Sequence, residues 1–267
     1  MNEDDRFFAM LAQQQAALPA YYPSWPLGRT EGAAVRHVPL NVHGRDFFVG
    51  DLHGMFGLLA LLLKERGFNP EADRLFSVGD LIDRGPDNLE ALQWLQQPWF
   101  HAVLGNHDHM ALDALESTEA EDIWINVNGG DWAEDADPAA LNTLRSRLAA
   151  LPYALEIEHR LGRVGVIHAD IPPGINWAYF MRRLALERQG DAPQTGIRAV
   201  TWGRERMLGC SAEDAPDVAG IAHVICGHTS VRHPQWRGNV AYIDTGAFRS
   251  GGSLTVVTLD ELLDLKD

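Results

Sequence analysis

Three short apolar runs in the first half of the chain each end in a glycine followed by a polar residue. They are Phe47-Phe48-Val49 before Gly50-Asp51-Leu52-His53-Gly54, Leu75-Phe76-Ser77-Val78 before Gly79-Asp80-Leu81-Ile82-Asp83-Arg84-Gly85, and Ala102-Val103-Leu104 before Gly105-Asn106-His107-Asp108. Such runs predict buried strands, here over 46–50, 74–79 and 100–104. The segments between them carry helical spacing. Leu58, Leu59, Leu62 and Leu63 mark the buried face of a helix over 55–66, with Gly67 as its C-cap. Pro86 opens the first turn of a second helix to Gln97, with Leu89, Leu92, Trp94 and Leu95 inward and Pro98 as its stop. Strand–helix–strand–helix–strand order requires parallel strands, because each crossover returns to the same edge. Every Gly-Asp or Gly-Asn then lies at a strand's carboxyl end, where open α/β sheets bind ligands.

A helix from His107 to about Leu115 follows. Residues 116–137 then hold Glu116, Glu119, Glu121, Asp122, Asp131, Glu134, Asp135 and Asp137 with no Lys or Arg, interrupted by Asn128-Gly129-Gly130 and Trp132. They read as an acidic excursion, solvated or laid over the rim. Asp137 caps a helix over 138–150. Thereafter the pattern is β-rich: 153–159 and 163–168 flank the hairpin signal Arg160-Leu161-Gly162, and 222–226, 240–244 and 253–259 are further strands, with a helix over 177–188. A parallel first half and a hairpin-like second half predict a mixed α/β sandwich. Residues 1–20 read as an amphipathic helix with Phe7, Phe8, Leu11 and Leu18 on one side, and 19–30 as a Pro- and Gly-rich connector. The expected organisation is an N-terminal extension over 1–33 and one domain over 34–267.

Length and composition fit one soluble domain with a proper core: 267 residues, 46% of them apolar. No apolar run approaches the ~18 residues of a membrane span, and the start Met1-Asn2-Glu3-Asp4-Asp5-Arg6 is too acidic for a signal peptide. Cys210 and Cys226 read as reduced thiols of a cytoplasmic protein. The formal charge of −15 opposes long polyanions, so neither nucleic acid nor a membrane is an expected partner. A small phosphorylated group remains open, since a few cations or metal ions dominate a pocket whatever the net charge.

Two later strands also run into histidine: Val164-Gly165-Val166-Ile167 into His168-Ala169-Asp170, and His223-Val224-Ile225-Cys226-Gly227 into His228-Thr229. The strand ends therefore offer Asp51, His53, Asp80, Asn106, His168 and His228. A mixed nitrogen and oxygen set suits Mn, Fe or Zn rather than Ca. Six ligands make two ions natural if one carboxylate bridges, and Asp80, on the middle motif, is the best bridge. Two ions about 3.5–4 Å apart can share a hydroxide and clamp a phosphoryl group. Arg84 follows in a tight turn, and its planar fork can grip two phosphate oxygens. His107 can protonate a departing oxygen, with Asp83 on its other ring nitrogen. His37, His43, His101, His109, His159, His223 and His233 read as structural.

Taken together, Gly50-Asp51-Leu52-His53-Gly54, Gly79-Asp80-Leu81-Ile82-Asp83-Arg84-Gly85, Gly105-Asn106-His107-Asp108, His168-Ala169-Asp170 and Gly227-His228-Thr229 resemble the calcineurin-like metallophosphoesterases. Asn128-Gly129-Gly130-Asp131-Trp132, Trp202-Gly203-Arg204-Glu205-Arg206 and Tyr242-Ile243-Asp244-Thr245-Gly246-Ala247 look most like bacterial and phage serine/threonine protein phosphatases of the lambda type. The resemblance implies a single-domain, mixed-sheet αββα sandwich. It implies Asp51 and His53 at one metal, Asp80 bridging, and Asn106, His168 and His228 at the other, with manganese the expected ion. It further implies an Asp83–His107 acid dyad, and Arg84 and Arg204 as the phosphate clamp, with Asn106 also touching substrate. Arg204 would otherwise read as a surface salt-bridge former. Related protein phosphatases commonly carry Arg two residues before the ligand Asn; Leu104 stands there, a form more like the symmetrical diadenosine tetraphosphatases. The expected activity is that of a serine/threonine or dual-specificity protein phosphatase using a metal-bridging hydroxide. The alternatives are symmetrical diadenosine tetraphosphate hydrolysis and a scaffold that binds phosphorylated partners without turnover.

Overall fold

The computed structural model describes residues 27–266; the helix expected within 1–20 and most of the 19–30 connector lie outside the described residues. Strands β1 (Val35–Val38), β2 (Asp46–Val49), β3 (Arg74–Ser77), β4 (Phe100–Ala102), β5 (Ala154–Ile157), β6 (Val164–Ile167), β7 (His223–Cys226), β8 (Gln235–Arg237), β9 (Val240–Tyr242) and β10 (Val256–Thr258) form two sheets. In the four-stranded sheet, order β10-β2-β3-β4, the three motif strands pair in parallel and β10 is antiparallel to β2. The six-stranded sheet runs β1-β5-β6-β7-β9-β8. Its β5–β6 and β8–β9 pairs are antiparallel and its β1–β5, β6–β7 and β7–β9 pairs parallel.

Alternation along each strand sends side chains to two different cores. Phe48, Phe76, Leu155, Ile157, Val164, Val166, Ile225 and Ala241 fill the space between the sheets. Their chain neighbours Phe47, Val49, Leu75, Ala154, Ile167, Val224, Val240 and Tyr242 join a second cluster shared with the helices. With both faces covered, these strands are apolar throughout rather than alternating. The fold is an αββα sandwich with mixed sheets.

The α-helices are α1 (Phe56–Glu65), α2 (Ala91–Trp94), α3 (Asn106–Asp113), α4 (Thr118–Asn128), α5 (Pro138–Ala149), α6 (Trp177–Arg188), α7 (Thr195–Trp202), α8 (Glu205–Gly209) and α9 (Leu259–Asp264). Gly67, at φ +60°, ends α1 as its sequence predicts, with Phe68 N bonded to Leu63 O at 2.9 Å and Gly67 N to Lys64 O at 3.1 Å. Asp137 caps α5 by accepting from Ala140 N. Trp177 lies over Gly165 and donates to Glu156 at 2.7 Å, seating α6 on the six-stranded sheet.

Three expectations are corrected. No long helix starts at Pro86: Asn88–Glu90 is a 3₁₀ turn and only Ala91–Trp94 is α-helical. Here the backbone is diverted into side-chain bonds, Asn88 taking Asp83 N at 2.7 Å and giving to Gly85 O at 2.9 Å. Residues 116–137 are largely helical, not a loop. Ser117 caps α4, the acids Glu119 and Glu121 sit in its first turn where the dipole favours them, and Gly129 closes it at φ +84°. The third strand is shorter than 100–104, because Leu104 N turns away to bond Pro152 O at 2.9 Å. The edge strands β1 and β8 and the helices α7, α8 and α9 have no counterpart among the sequence expectations. Residues 27–33 lie against the domain: Leu27 is buried, Gly28 N donates to Asp113, and Arg188 donates to Ala33 O at 3.1 Å.

Helix α7 leads into the Trp202–Arg204 segment, and its start rests on one buried carboxylate. Glu187 accepts from Ile197 N at 2.8 Å, Gly196 N at 3.0 Å and Arg183 Nε at 2.7 Å. Replacing Glu187 by Ala strands those donors, so it is expected to lower unfolding free energy by about 2–4 kcal/mol. A urea midpoint unchanged from wild type would contradict this role.

Candidate active site

Backbone bonds stitch the turns that follow the strands into one surface. Leu52 N and His53 N both donate to Asp80 O, at 3.1 and 2.7 Å. The buried Asp108 carboxylate accepts from Leu81 N and Gly105 N, each at 2.9 Å, tying the β3 and β4 turns. His107 N donates to Asp80 Oδ1 at 2.9 Å, Gly227 N to His168 O at 2.7 Å, and His228 N reaches both Asp51 oxygens at 3.1 Å. The approach is so close that a Cβ on Gly227 would run into the Asp51 carboxylate.

Among the described residues, the non-glycine positions with positive φ are His53 (43°), Asp80 (48°), Asp83 (77°), Arg84 (71°) and His228 (63°). All of them belong to this surface. Such backbone costs about 1–3 kcal/mol per residue and persists only where the surroundings enforce it. The stitched turns supply that enforcement.

Two groups of donor atoms lie within 4.8 Å of one another: His53, Asp80 and His107, and Asp80, His168 and His228. Asp80 is common to both, as a bridging carboxylate must be. Asp51 stands beside these groups on His228 N rather than inside either.

The hydrogen-bond chemistry calls for cations here. His168 Nδ1 lies 2.8 Å from Val78 O, so a neutral ring carries its proton there and turns a lone pair on Nε2 towards Asn106 Oδ1, also at 2.8 Å. His228 Nδ1 lies 2.9 Å from the same oxygen. His53 is likewise anchored, with Nδ1 3.1 Å from Ile82 O; its Nε2 lies 3.5 Å from Asp80 Oδ2 and accepts from the Arg84 guanidinium at 3.0 Å. Lone pairs facing oxygens are repulsive unless a cation lies between, and an imidazole anchored to a carbonyl is the usual state of a metal ligand. Burial first, then the neighbouring imidazoles and arginines, holds His53 and His228 well below the usual histidine range, keeping both rings neutral, the form that can bind a metal. Burial, then Asp244 and Asp80, holds the Asp51 carboxyl well above its usual range. A divalent cation would relieve that repulsion, so the donor set fits two such ions.

His107 Nδ1 lies 2.8 Å from Asp83 Oδ2, which fixes the tautomer and leaves Nε2 for chemistry. Burial pushes Asp83 up to about 7, against the indole hydrogen bonds of Trp132 and Trp124 that favour its anion. Burial also pulls His107 down to about 3. The cleft, about 160 Å³, is lined by Arg84, Arg204 and Arg249 together with Asp51, His53, Asp80, Asn106, His107 and His228. A larger hollow of about 450 Å³ between residues 30–37 and α6 holds no comparable cluster.

The six expected ligands, the Asp83–His107 pair and both expected arginines meet in this one region. Leu104 is fully buried and contributes nothing to the cleft. His109, among the histidines expected to be structural, is held in the core by Asp113 at 2.9 Å and Tyr153 at 3.0 Å. Sequence reasoning missed Trp124 and Trp132, whose indole N–H groups each reach Asp83 at 2.9 Å. Two tryptophans in an otherwise acidic stretch were the available signal. It also missed Asp244, which follows β9, faces the cleft and accepts from Ser230 at 2.6 Å. Ile243-Asp244-Thr245-Gly246 is itself a strand end with an acid and a glycine.

The family model for calcineurin-like phosphoesterases matches residues 47–232. Serine/threonine-protein phosphatase 1 of Salmonella typhimurium is 39% identical over 238 residues, covering 86% of this chain and 95% of that protein. A symmetrical bis(5'-nucleosyl)-tetraphosphatase of Actinobacillus pleuropneumoniae is 48% identical over a shorter 148 residues, 55% of this chain and 51% of that one. Among solved structures, a protein serine/threonine phosphatase from Saccharomyces cerevisiae gives a TM-score of 0.55 at 13% identity, covering 97% of this chain and 84% of that one, a likeness of fold alone.

Metal loading is expected to show in stability. Adding Mn²⁺ to chelator-stripped protein at about 100 times its dissociation constant stabilises by ~2.7 kcal/mol, a rise in Tm of roughly 5–10 °C. His228→Ala should lose most of that rise, and equal rises in both proteins would refute the ligand assignment.

Proposed function

The chain belongs to the calcineurin-like phosphoesterase family, and on that premise we propose that it is a dinuclear-metal phosphomonoesterase acting on phosphoserine and phosphothreonine in proteins, with phosphotyrosine as a further substrate. The observation that carries the chemistry is Asp80, shared by two clusters of donor atoms at the floor of a cleft lined by Arg84 and Arg204. Asp51, His53 and Asp80 would hold one ion, and Asp80, Asn106, His168 and His228 the other, with manganese as the proposed metal. Ions bound there supply Lewis acidity towards the phosphoryl oxygens and acidify water to near-neutral pKa.

The side chains do the rest. Arg84 and Arg204 hold the equatorial oxygens, where charge develops as the ester breaks, and Asn106 touches the same group. His107, held neutral at rest by burial, must take up a proton before its Nε2 can deliver one to the leaving oxygen, while Asp83 orients the ring and steadies the imidazolium form. Trp124 and Trp132 keep Asp83 in one orientation. A protein substrate is supported by the near full-length match to a serine/threonine-protein phosphatase. The two free cysteines, one of them buried, suit a reduced cytoplasmic setting; among the described residues no helix is long and apolar enough to cross a membrane.

A second reading, hydrolysis of diadenosine tetraphosphate, is favoured by the higher identity to a tetraphosphatase over part of the chain. Side-by-side kcat/KM of the Mn-loaded enzyme on a phosphoserine peptide and on diadenosine tetraphosphate separates the two. Preference for the peptide is expected; preference for the dinucleotide would overturn the first reading. No turnover of either by fully metallated protein would leave only a phosphate-binding scaffold.

The acid role has its own signature. His107→Asn should lower kcat ~100-fold or more on the phosphoserine peptide, whose alkoxide needs a proton, and far less on p-nitrophenyl phosphate. Equal losses on both substrates would count against it.

A further inference from the structure

The loop after β9 is closed on itself. Asp244 Oδ1 accepts from Gly246 N at 2.8 Å, Thr245 Oγ1 donates to Ser253 O at 2.6 Å, and Ser253 N donates to Thr245 O at 3.1 Å. Inside this clasp Arg249 N bonds Gly246 O and Gly252 N bonds Arg249 O, each at 2.9 Å. Gly246 at φ +72° and Gly251 at φ +79° supply the left-handed backbone the turn requires. The tip therefore presents Phe248 and Arg249 to the cleft from a fixed base.

The Phe248 ring is a shared platform. The Arg84 guanidinium lies 4.6 Å from its centre and the Arg249 guanidinium 5.3 Å, while the His53 ring meets it edge-on at 4.7 Å. The two guanidinium carbons are thus separated by at most the sum of their lengths to the ring. Cation–π contact holds Arg249 in place without neutralising it.

Its charge is otherwise unspent. The Arg249 guanidinium lines the cleft, is solvent-exposed, and has no hydrogen-bond or ion-pair partner among the described residues. Arg45, Arg74, Arg163 and Arg183 are all paired with carboxylates. Beside the cleft, an arginine without a carboxylate partner is available to an anion brought by the substrate.

We propose that Arg249 is a specificity-determining residue that binds a second negative charge on the substrate, the carboxylate of an acidic residue flanking the phosphorylated one. The inference rests on the protein-phosphatase reading above. An extended peptide advances about 3.3 Å per residue, so a side chain one or two positions away reaches Arg249 while its phosphate sits on Arg84. A carboxylate matches the guanidinium fork in two parallel hydrogen bonds.

The test uses two phosphoserine peptides that differ only in Glu or Gln beside the phosphoserine, with wild-type enzyme and Arg249→Gln. Wild type is expected to favour the Glu peptide by about 3–10-fold in kcat/KM, carried by KM and shrinking as salt rises. Arg249→Gln should bring the ratio close to one, and Arg249→Lys should retain part of it. Arg249 is exposed, so an unchanged melting temperature will verify folding. A wild-type ratio of one, or a preference that Arg249→Gln keeps, overturns the assignment while hydrolysis of both peptides upholds the phosphatase reading. Phosphate release from neither peptide overturns both.

Discussion

Asp80 is the point at which the two halves of the molecule are joined. Its carbonyl takes the N–H groups of Leu52 and His53, and its carboxylate takes that of His107. The imidazoles of His53 and His168 stand 3.5 and 3.4 Å from its oxygens, one on each side. To do this Asp80 adopts a left-handed backbone at φ +48°, which an aspartate tolerates better than most residues. Remove that constraint and the turns after β2, β3 and β4 lose their common reference.

The cost of such a centre is carried by the sandwich. Asp51, Asp80, Asp83, Asp108 and Asp244 are all buried, and like charges gathered away from water oppose folding. Two sheets with apolar residues on both faces supply the burial that offsets this.

The acidic excursion has a function that its charge conceals. Its acids face outward on α4, while Trp124 is fully buried and reaches Asp83 across the helix. At the end of α4, Gly129 O accepts from Arg84 N at 3.1 Å, and a Cβ on Gly129 would press on the Arg84 side chain. One segment thus steadies both the Asp83–His107 pair and Arg84.

The order of strands and the chemistry at their ends were legible in the sequence, because both are local. An apolar run that stops at Gly-Asp records a buried strand and the residue at its tip, and parallel crossovers then force the tips to one edge. Hence Asp51, His53, Asp80, Asn106, His168 and His228 could be named without coordinates. What was not legible depends on contacts between segments distant along the chain. The stretch after Pro86 abandons helix because Asn88 bonds back to Asp83 and Gly85, and nothing in its periodicity records that. Trp124, Trp132 and Arg249 matter through the neighbours they meet, Asp83 for the indoles and the Phe248 ring for the arginine. Sequence determines which groups are available at each strand end; only the tertiary structure decides which pairs come within hydrogen-bonding distance, because that distance is set by how the two sheets and their loops pack.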